Sequence, residues 1–339
     1  MNVLIVRLGA LGDIVHAIPA AAALRRAYPD ARIDWLVDSR HRELLTLVPL
    51  IDRIVTLGKS SPGGWLDVAR QLRPARYDVA LDFQGLLKSA VLSRASGAQR
   101  VVGFSIWHLR EKTATPFYSE AIDTTTSGAL SAHVIRKNLQ LLRAVNVEDD
   151  RIEFPLSSVH SAAADAVREQ AGGAPFALIN PGAAWPNKRW MPEHFGEVAA
   201  FLREVRGYVP FVLWGPGEEA LATAVADASA GSARVAPPTR LADVVELCRG
   251  ASLMISGDTG PLHIASAVGT PIVSLFGPTD PERNGPWSGT DVAISRFAAC
   301  SCHYERRCHR SDWCLASITA AEVTAAIQVR TQGARCDNC

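Results

Sequence analysis

The chain of 339 residues has no uncharged apolar run of about 18 residues, the length a helix needs to cross a bilayer. Nor does its start resemble a secretory leader. Met1-Asn2-Val3-Leu4-Ile5-Val6 enters an apolar strand pattern at once, without a basic segment, a long apolar stretch and a small-residue cleavage site. The expectation is a cytoplasmic protein, with contact at the membrane surface left open. Net charge is scarce too, at +1, so bulk attraction to nucleic acid is not expected. Basic residues occur instead in local clusters, at Arg25-Arg26, at 40–42 and at 100–112. There is no G-x-G-x-x-G, which argues against dinucleotide binding. Repeats and low-complexity blocks are missing as well.

What is present is alternation. Apolar content of 48% and charge of 20% suit a soluble globular protein, and the length allows two domains with separate cores. In the first half, strands are expected at 3–7, 32–37, 53–56, 79–82 and 101–103. Helices are expected at 14–27, 42–47, 65–72, 87–96 and 133–145. The strands are rich in Val, Ile and Leu on both faces, the mark of a parallel sheet covered by helices on either side. A linker is expected at 153–158. A second set follows, with strands at 177–180, 211–213, 253–256 and 272–276. Its helices are expected at 193–205, 218–228, 241–248, 260–268 and 320–330, before a loose tail at 331–339. The domain expectation is therefore 1–156, 157–319, and a terminal helix with its tail at 320–339.

Two glycine-bearing loops, one per half, follow strand patterns and open onto helices: Leu8-Gly9-Ala10-Leu11-Gly12-Asp13 and Gly257-Asp258-Thr259-Gly260-Pro261-Leu262-His263. Bare amides and a helix N-terminus at such a turn suit an anion. Asp13 is a candidate proton acceptor, or a helix cap that accepts backbone N–H groups. In the second loop, Thr259 and Gly260 would offer amides. Asp258 would orient groups or bind a sugar hydroxyl, and His263 would reach a phosphate or sugar, unless it is simply a satisfied core histidine. Asn180-Pro181-Gly182-Ala183-Ala184-Trp185-Pro186-Asn187-Lys188-Arg189-Trp190 brings Lys188 as a mobile charge for a phosphate, the alternative being an exposed surface loop. In Gly215-Pro216-Gly217-Glu218-Glu219, an acid after a strand would bind a ribose diol or cap a helix. Asp82-Phe83-Gln84-Gly85-Leu86-Leu87-Lys88-Ser89, with Arg110 and Lys112, would form a cationic rim for an acidic acceptor or a plain solvated helix start.

Seven cysteines are unevenly placed. Cys248 falls in an apolar helical pattern and is expected to be a buried small hydrophobe. Cys300, Cys302, Cys308 and Cys314 cluster, and Cys336 and Cys339 end the chain. Four thiolates would suit structural zinc or iron, with His303 and His309 as spare ligands, although the 300–314 spacing lacks paired C-x2-C knuckles. Metal-free thiols are the alternative.

Together these segments resemble the ADP-heptose:lipopolysaccharide heptosyltransferases of glycosyltransferase family 9, over residues 1 to about 295. Carrying the resemblance are Val3-Leu4-Ile5-Val6-Arg7 with Gly12-Asp13-Ile14-Val15-His16-Ala17-Ile18-Pro19, the segment from Asp82 to Ala90, and Arg110-Glu111-Lys112. Asn187-Lys188-Arg189-Trp190, the segment from Gly257 to His263, and Phe276-Gly277-Pro278-Thr279-Asp280-Pro281 complete it. It implies a GT-B fold, two Rossmann-like α/β domains with mostly parallel sheets facing a central cleft. It implies inverting transfer of L-glycero-D-manno-heptose from ADP-heptose to a Kdo hydroxyl of the lipopolysaccharide inner core, without a required cofactor. It implies a Kdo-lipid A type acceptor and a peripheral position on the cytoplasmic face of the inner membrane.

On that template Asp13 is the general base and Lys188 binds the donor phosphates. Asp258, Thr259, Gly260 and His263 form the donor loop, and Glu218, or Glu219 one position on, binds the ribose. Gly12, Lys88 and Arg110 contact or position the acceptor. Ala183 and Ala184 stand where the family carries hydroxyl residues near the phosphates. The cysteine cluster also departs from the closest template, although autotransporter heptosyltransferases carry a cysteine-bound iron near that end. Another acceptor, a second heptose or a protein serine, therefore remains an alternative. A non-catalytic nucleotide-sugar-binding module on the same fold is another.

Overall fold

The computed structural model describes residues 1–124, 133–310 and 313–332. The chain forms two compact units, Met1–Ser157 and Ser158–Cys339.

In the first unit the strands are β1 (Asn2–Val6), β2 (Arg32–Asp38), β3 (Arg53–Leu57), β4 (Val79–Asp82), β5 (Arg100–Phe104) and β6 (Glu120–Ile122). They pair in parallel in the order β3-β2-β1-β4-β5-β6. The helices are α1 (Leu11–Val15), α2 (Ile18–Ala27), α3 (Arg42–Thr46), α4 (Pro62–Leu72), α5 (Leu87–Ala95) and α6 (Val134–Leu141). Val3, Leu4, Ile5 and Val6 are all fully buried, which explains why β1 reads apolar on both faces. The helix expected at 14–27 is broken into α1 and α2. Pro19 lacks an N–H and its ring would strike the carbonyl one turn earlier, so it is seated in the first turn of a new helix.

The second unit repeats the plan. Its strands are β7 (Phe176–Asn180), β8 (Val209–Val212), β9 (Arg234–Val235), β10 (Leu253–Gly257), β11 (Ile272–Phe276) and β12 (Val292–Ser295). They too are all parallel, in the order β12-β11-β10-β7-β8-β9. The helices are α7 (Ala162–Ala171), α8 (Pro192–Glu204), α9 (Glu219–Ala228), α10 (Leu241–Gly250), α11 (Gly260–Ala267), α12 (Pro281–Asn284) and α13 (Ala320–Gln332). Phe195, Val198 and Leu202 of α8, Ala222 and Val225 of α9, and Val323 and Ile327 of α13 share one core with β7, β10 and β11. The last helix is therefore part of this unit. It runs on to Gln332 with Thr331 buried, so the expected loose tail begins later than residue 331. The remainder of that tail, Cys336 and Cys339 included, lies outside the described residues.

The elements not expected from sequence are four short ones and one alanine-rich helix of ten residues. They are β6, β9, β12, α7 and α12.

Both sheets reverse their winding at one point, between β1 and β4 in the first and between β7 and β10 in the second. Ligands of open α/β sheets bind beyond the carboxyl ends of the strands that flank such a switch. The four loops leaving those strands, with the first turns of the helices they lead into, hold Asp13, Gln84 to Lys88, Lys188 and Asp258 to His263.

Candidate active site

Asp258 is the hub of the second unit's switch point. It directly follows β10, its side chain is only 4% exposed, and both carboxylate oxygens are filled from within the protein. Oδ2 accepts from Lys188 Nζ at 2.5 Å and from Thr279 Oγ1 at 2.7 Å. Oδ1 meets His263 Nε2 at 3.1 Å and Asn284 Nδ2 at 3.0 Å. A carboxylate offers about four acceptor sites, so none is left for a sugar. Asp258 orients the groups that surround it. Burial opposes its ionisation, but the His263 hydrogen bond and the Lys188 charge outweigh that and hold the carboxyl well below the usual range.

Lys188 is correspondingly far from a solvated surface lysine. Its side chain is 14% exposed, and Nζ lies 4.5 Å from the Trp185 ring centroid. The turn that carries it is held from several sides. Asn187 Nδ2 donates to Glu305 O, Trp190 Nε1 to Ile318 O, and Trp313 Nε1 to Arg189 O. A Cβ at Gly257 would stand 2.8 Å from Lys188 O, so the glycine ending β10 is what lets this turn approach. The exposed-loop alternative fails here.

Thr259 and Gly260 form the mouth of α11. Asn180 at the end of β7 donates Nδ2 to Thr259 Oγ1 at 2.9 Å and to Ser256 Oγ at 3.0 Å, fixing that mouth against its neighbouring strand. His263 is buried in the first turn behind it. A lysine ammonium and a helix N-terminus together suit a diphosphate. Ala183 supplies backbone only, its carbonyl accepting from Arg189 Nε at 2.8 Å.

Of the two acids after β8, Glu218 turns inward and Glu219 is exposed at the start of α9. The Glu218 carboxylate accepts from Gly215 N at 3.2 Å, lies 3.7 Å from Arg189 Nη2, and abuts Gly182, where a Cβ would collide with it.

In the first unit, Asp13 sits in the first turn of α1, where it caps the helix start. Oδ2 accepts from Ala10 N at 3.1 Å, a capping bond. Oδ1 pairs with Arg7 Nη2 at 2.7 Å, and a third of the side chain stays exposed. Arg7, the residue that directly follows β1, is buried and also donates Nη1 to Phe83 O. The next loop is tied in as well, because Gln84 Oε1 accepts from Leu8 N at 2.6 Å. Asp82 shapes that loop by accepting from Gln84 N, Gly85 N, Ser89 Oγ and Tyr118 Oη. Complete burial pushes its carboxyl above the usual range. Gly12 is buried in α1, Lys88 is half-buried in the first turn of α5, and Arg110 is exposed.

Arg7, Thr279, Asn284 and Asn180 were not singled out from sequence for these roles. Arg7 and Thr279 lie within quoted motifs, whereas Asn284 had no signal at all.

The four cysteines at 300–314 lie close together. Cys300 Sγ lies 3.4 Å from Cys302 Sγ and 3.4 Å from Cys314 Sγ, and Cys308 pairs with Cys302. Among the described residues, no group of three or more His, Cys, Asp or Glu is placed to hold a metal ion. Burial pushes the Cys302 thiol up to about 12 and raises Cys300 and Cys314 as well. Cys248 is fully buried, as expected.

Two six-stranded parallel sheets with helices on both faces make the GT-B fold. Residues 65–313 match the model of glycosyltransferase family 9 (heptosyltransferase), and the chain belongs to that family. It is 30% identical to lipopolysaccharide heptosyltransferase 1 of Pseudomonas aeruginosa, covering 91% of this chain and 87% of that one. The fold superposes on Escherichia coli heptosyltransferase WaaC with ADP at a TM-score of 0.74 and 22% identity, over 97% of both chains. The iron-containing dodecameric glycosyltransferase TibC of enterotoxigenic E. coli is more distant. Its TM-score is 0.57 at 15% identity, over 98% of this chain and 78% of that one. Among the described residues, no helix is long and apolar enough to cross a membrane.

Proposed function

We propose that this enzyme transfers L-glycero-D-manno-heptose from ADP-heptose to a Kdo hydroxyl of the lipopolysaccharide inner core, with inversion at the anomeric carbon. The acceptor oxygen attacks that carbon on the face opposite ADP, and the hydroxyl proton passes to Asp13. The new C–O bond forms as the bond to the β-phosphate oxygen breaks, and ADP departs with the electron pair. The reading rests chiefly on one observation: the Lys188 ammonium is held by buried Asp258 in the same loop cluster as the mouth of α11. A fixed cation and helix amides meet the charge that develops on a leaving diphosphate without reorganising. Because these groups carry that charge, the reaction requires no cofactor. Glu218 binds the ribose diol, while Lys88 and Arg110 meet the anionic acceptor. The enzyme works at the cytoplasmic face of the inner membrane, where a Kdo-lipid A acceptor is anchored.

The test is ADP release from ADP-heptose with a panel of acceptors (Kdo-lipid A, a heptosylated core and a serine peptide), with products weighed by mass spectrometry. Heptose added to the Kdo-lipid A sample alone is the expected result. Addition only to one of the others would replace the acceptor, and no ADP release with any would leave a binding module. Asp13→Asn should lower kcat by roughly 10²–10⁴ while donor affinity stays within a few-fold. Near-normal turnover would remove Asp13 as the base. Transfer that survives exhaustive chelation is expected, and its loss would overturn the cofactor-free reading.

A further inference from the structure

Trp107 is 79% exposed, the highest value among the large hydrophobic residues described, and its neighbour Ile106 is exposed as well. They are the two central residues of a tight turn after β5. His108 N donates to Ser105 O at 2.9 Å to close it, and Ser105 N donates to Ile122 O at 2.8 Å to anchor it on β6. Beyond the turn, His108 Nε2 meets Asp123 Oδ1 at 3.0 Å, and Leu109 is buried against Gly85. The base of the turn is therefore pinned while its two apolar side chains face water.

The charges beside it carry a cationic excess, with Lys88, Arg110 and Lys112 against the carboxylates of Glu111 and Asp123. Arg110 and Lys112 are exposed. Glu111 between them is engaged, its carboxylate accepting from Leu87 N at 2.8 Å and so capping α5. That contact brings the 110–112 segment to the start of α5, where Leu87 is exposed and Lys88 follows.

We propose that the Ile106-Trp107 turn, with Leu87 beside it and Lys88, Arg110 and Lys112 around it, docks the first unit on an anionic lipid bilayer. Indole rings settle at the headgroup level of a membrane, and apolar side chains next to cations are the pattern of an interfacial anchor. Each cation near an anionic leaflet strengthens partitioning by about fivefold. The turn is a two-residue apex rather than a concavity, which disfavours a small ligand. It is also far smaller than the roughly 800 Å² per partner that a stable dimer buries. This inference names the membrane partner of the proposed acceptor site and rests on that reading, but its vesicle-binding test needs no acceptor.

The test is co-sedimentation of the full chain with vesicles of phosphatidylcholine alone, or with about a third phosphatidylglycerol, free of any glycolipid. Binding is expected to the anionic vesicles only, and to weaken as salt rises. Trp107→Ser should reduce it at least tenfold, and Ile106→Ser should act in the same direction. Turnover of both variants on a delipidated, water-soluble acceptor should be unchanged. No binding by the parent protein, or equal binding to neutral vesicles, overturns the proposal and leaves the transferase reading standing. Turnover lost on the soluble acceptor places the turn in the acceptor site and overturns it too. A change in sedimentation of the free protein on Trp107→Ser would make the turn a contact between copies and would likewise overturn the membrane assignment.

Discussion

Lys188 and Asp258 form a buried ion pair at 2.5 Å, so the cation assigned to the donor's diphosphate is already neutralised by its own protein. The pair keeps the ammonium in place, and under the proposed function an arriving diphosphate would share it. Breaking one side of such a pair leaves an uncompensated charge and costs about 3–5 kcal/mol. Lys188→Met and Asp258→Asn should each destabilise the protein, but the double variant should lose less than their sum, by about 1–3 kcal/mol. Denaturant unfolding of the four proteins reads this coupling. Strict additivity would mean that the contact carries no energy. Each single variant should also weaken ADP binding, read by calorimetry.

Arg7 reaches Asp13 at 2.7 Å through one arm of its guanidinium and the Phe83 carbonyl through the other. A lysine cannot keep both contacts, because it presents a point charge rather than a planar fork. Misplacing a reacting group by about 1 Å costs up to about 10²-fold in rate. Arg7→Lys should therefore lower kcat by about 10- to 100-fold with donor KM almost unchanged, in steady-state kinetics at saturating acceptor. A change confined to KM would make Arg7 a binding residue, not a positioning one.

How much of this was legible in the sequence varied with the range of the interaction. The parallel sheets could be read because Val3 to Val6 and Leu253 to Ile255 are buried on both faces, and a strand that is apolar throughout needs cover on either side. The donor loops could be read because glycine and helix-start residues are local signals. The break between α1 and α2 turned on Pro19, whose meaning depends on whether it sits inside a helix or at its start. Asn284 could not be read, since its link to Asp258 spans 26 residues and follows from tertiary packing alone. Glu218 was already preferred over Glu219 in the sequence, and the path of the chain past Gly182 adds that its carboxylate turns inward. The cysteine spacing left metal ligands and metal-free thiols open, and what the fold adds is that Cys300 stands 3.4 Å from both Cys302 and Cys314.

Gly257 offers a test of close approach without touching a polar group. A Cβ there would stand 2.8 Å from Lys188 O, a backbone atom that cannot swing aside. Gly257→Ala should push the Lys188 turn outward and weaken ADP binding by about tenfold, the effect of roughly 1.4 kcal/mol. Ala at Gly217 is an unsuitable control, because its φ of +80° already strains any side chain. Gly289 is a better one: a Cβ there would meet nothing within 4 Å, and Gly289→Ala should bind ADP normally. Equal affinity for both variants would show that the approach is not needed.

The Cys302 thiol, pushed up to about 12 by burial, makes an alkaline prediction whose sign can be worked out. An unfolded chain loses this proton near the ordinary thiol value of about 8.5, whereas the folded protein retains it to far higher pH. Above that ordinary value the unfolded state binds fewer protons, so stability falls as pH rises toward 12. By pH 10.5, two units above that value, the loss from this one group reaches about 3 kcal/mol, at 1.36 kcal/mol per unit. Cys302→Ala should be less stable than the parent at pH 8, because it loses buried contacts, but should decline less between pH 8 and 10.5. Urea unfolding under reducing conditions at the two pH values measures both effects. Parallel declines would mean that Cys302 ionises in the folded protein as readily as in the unfolded chain, which its 3% exposure argues against.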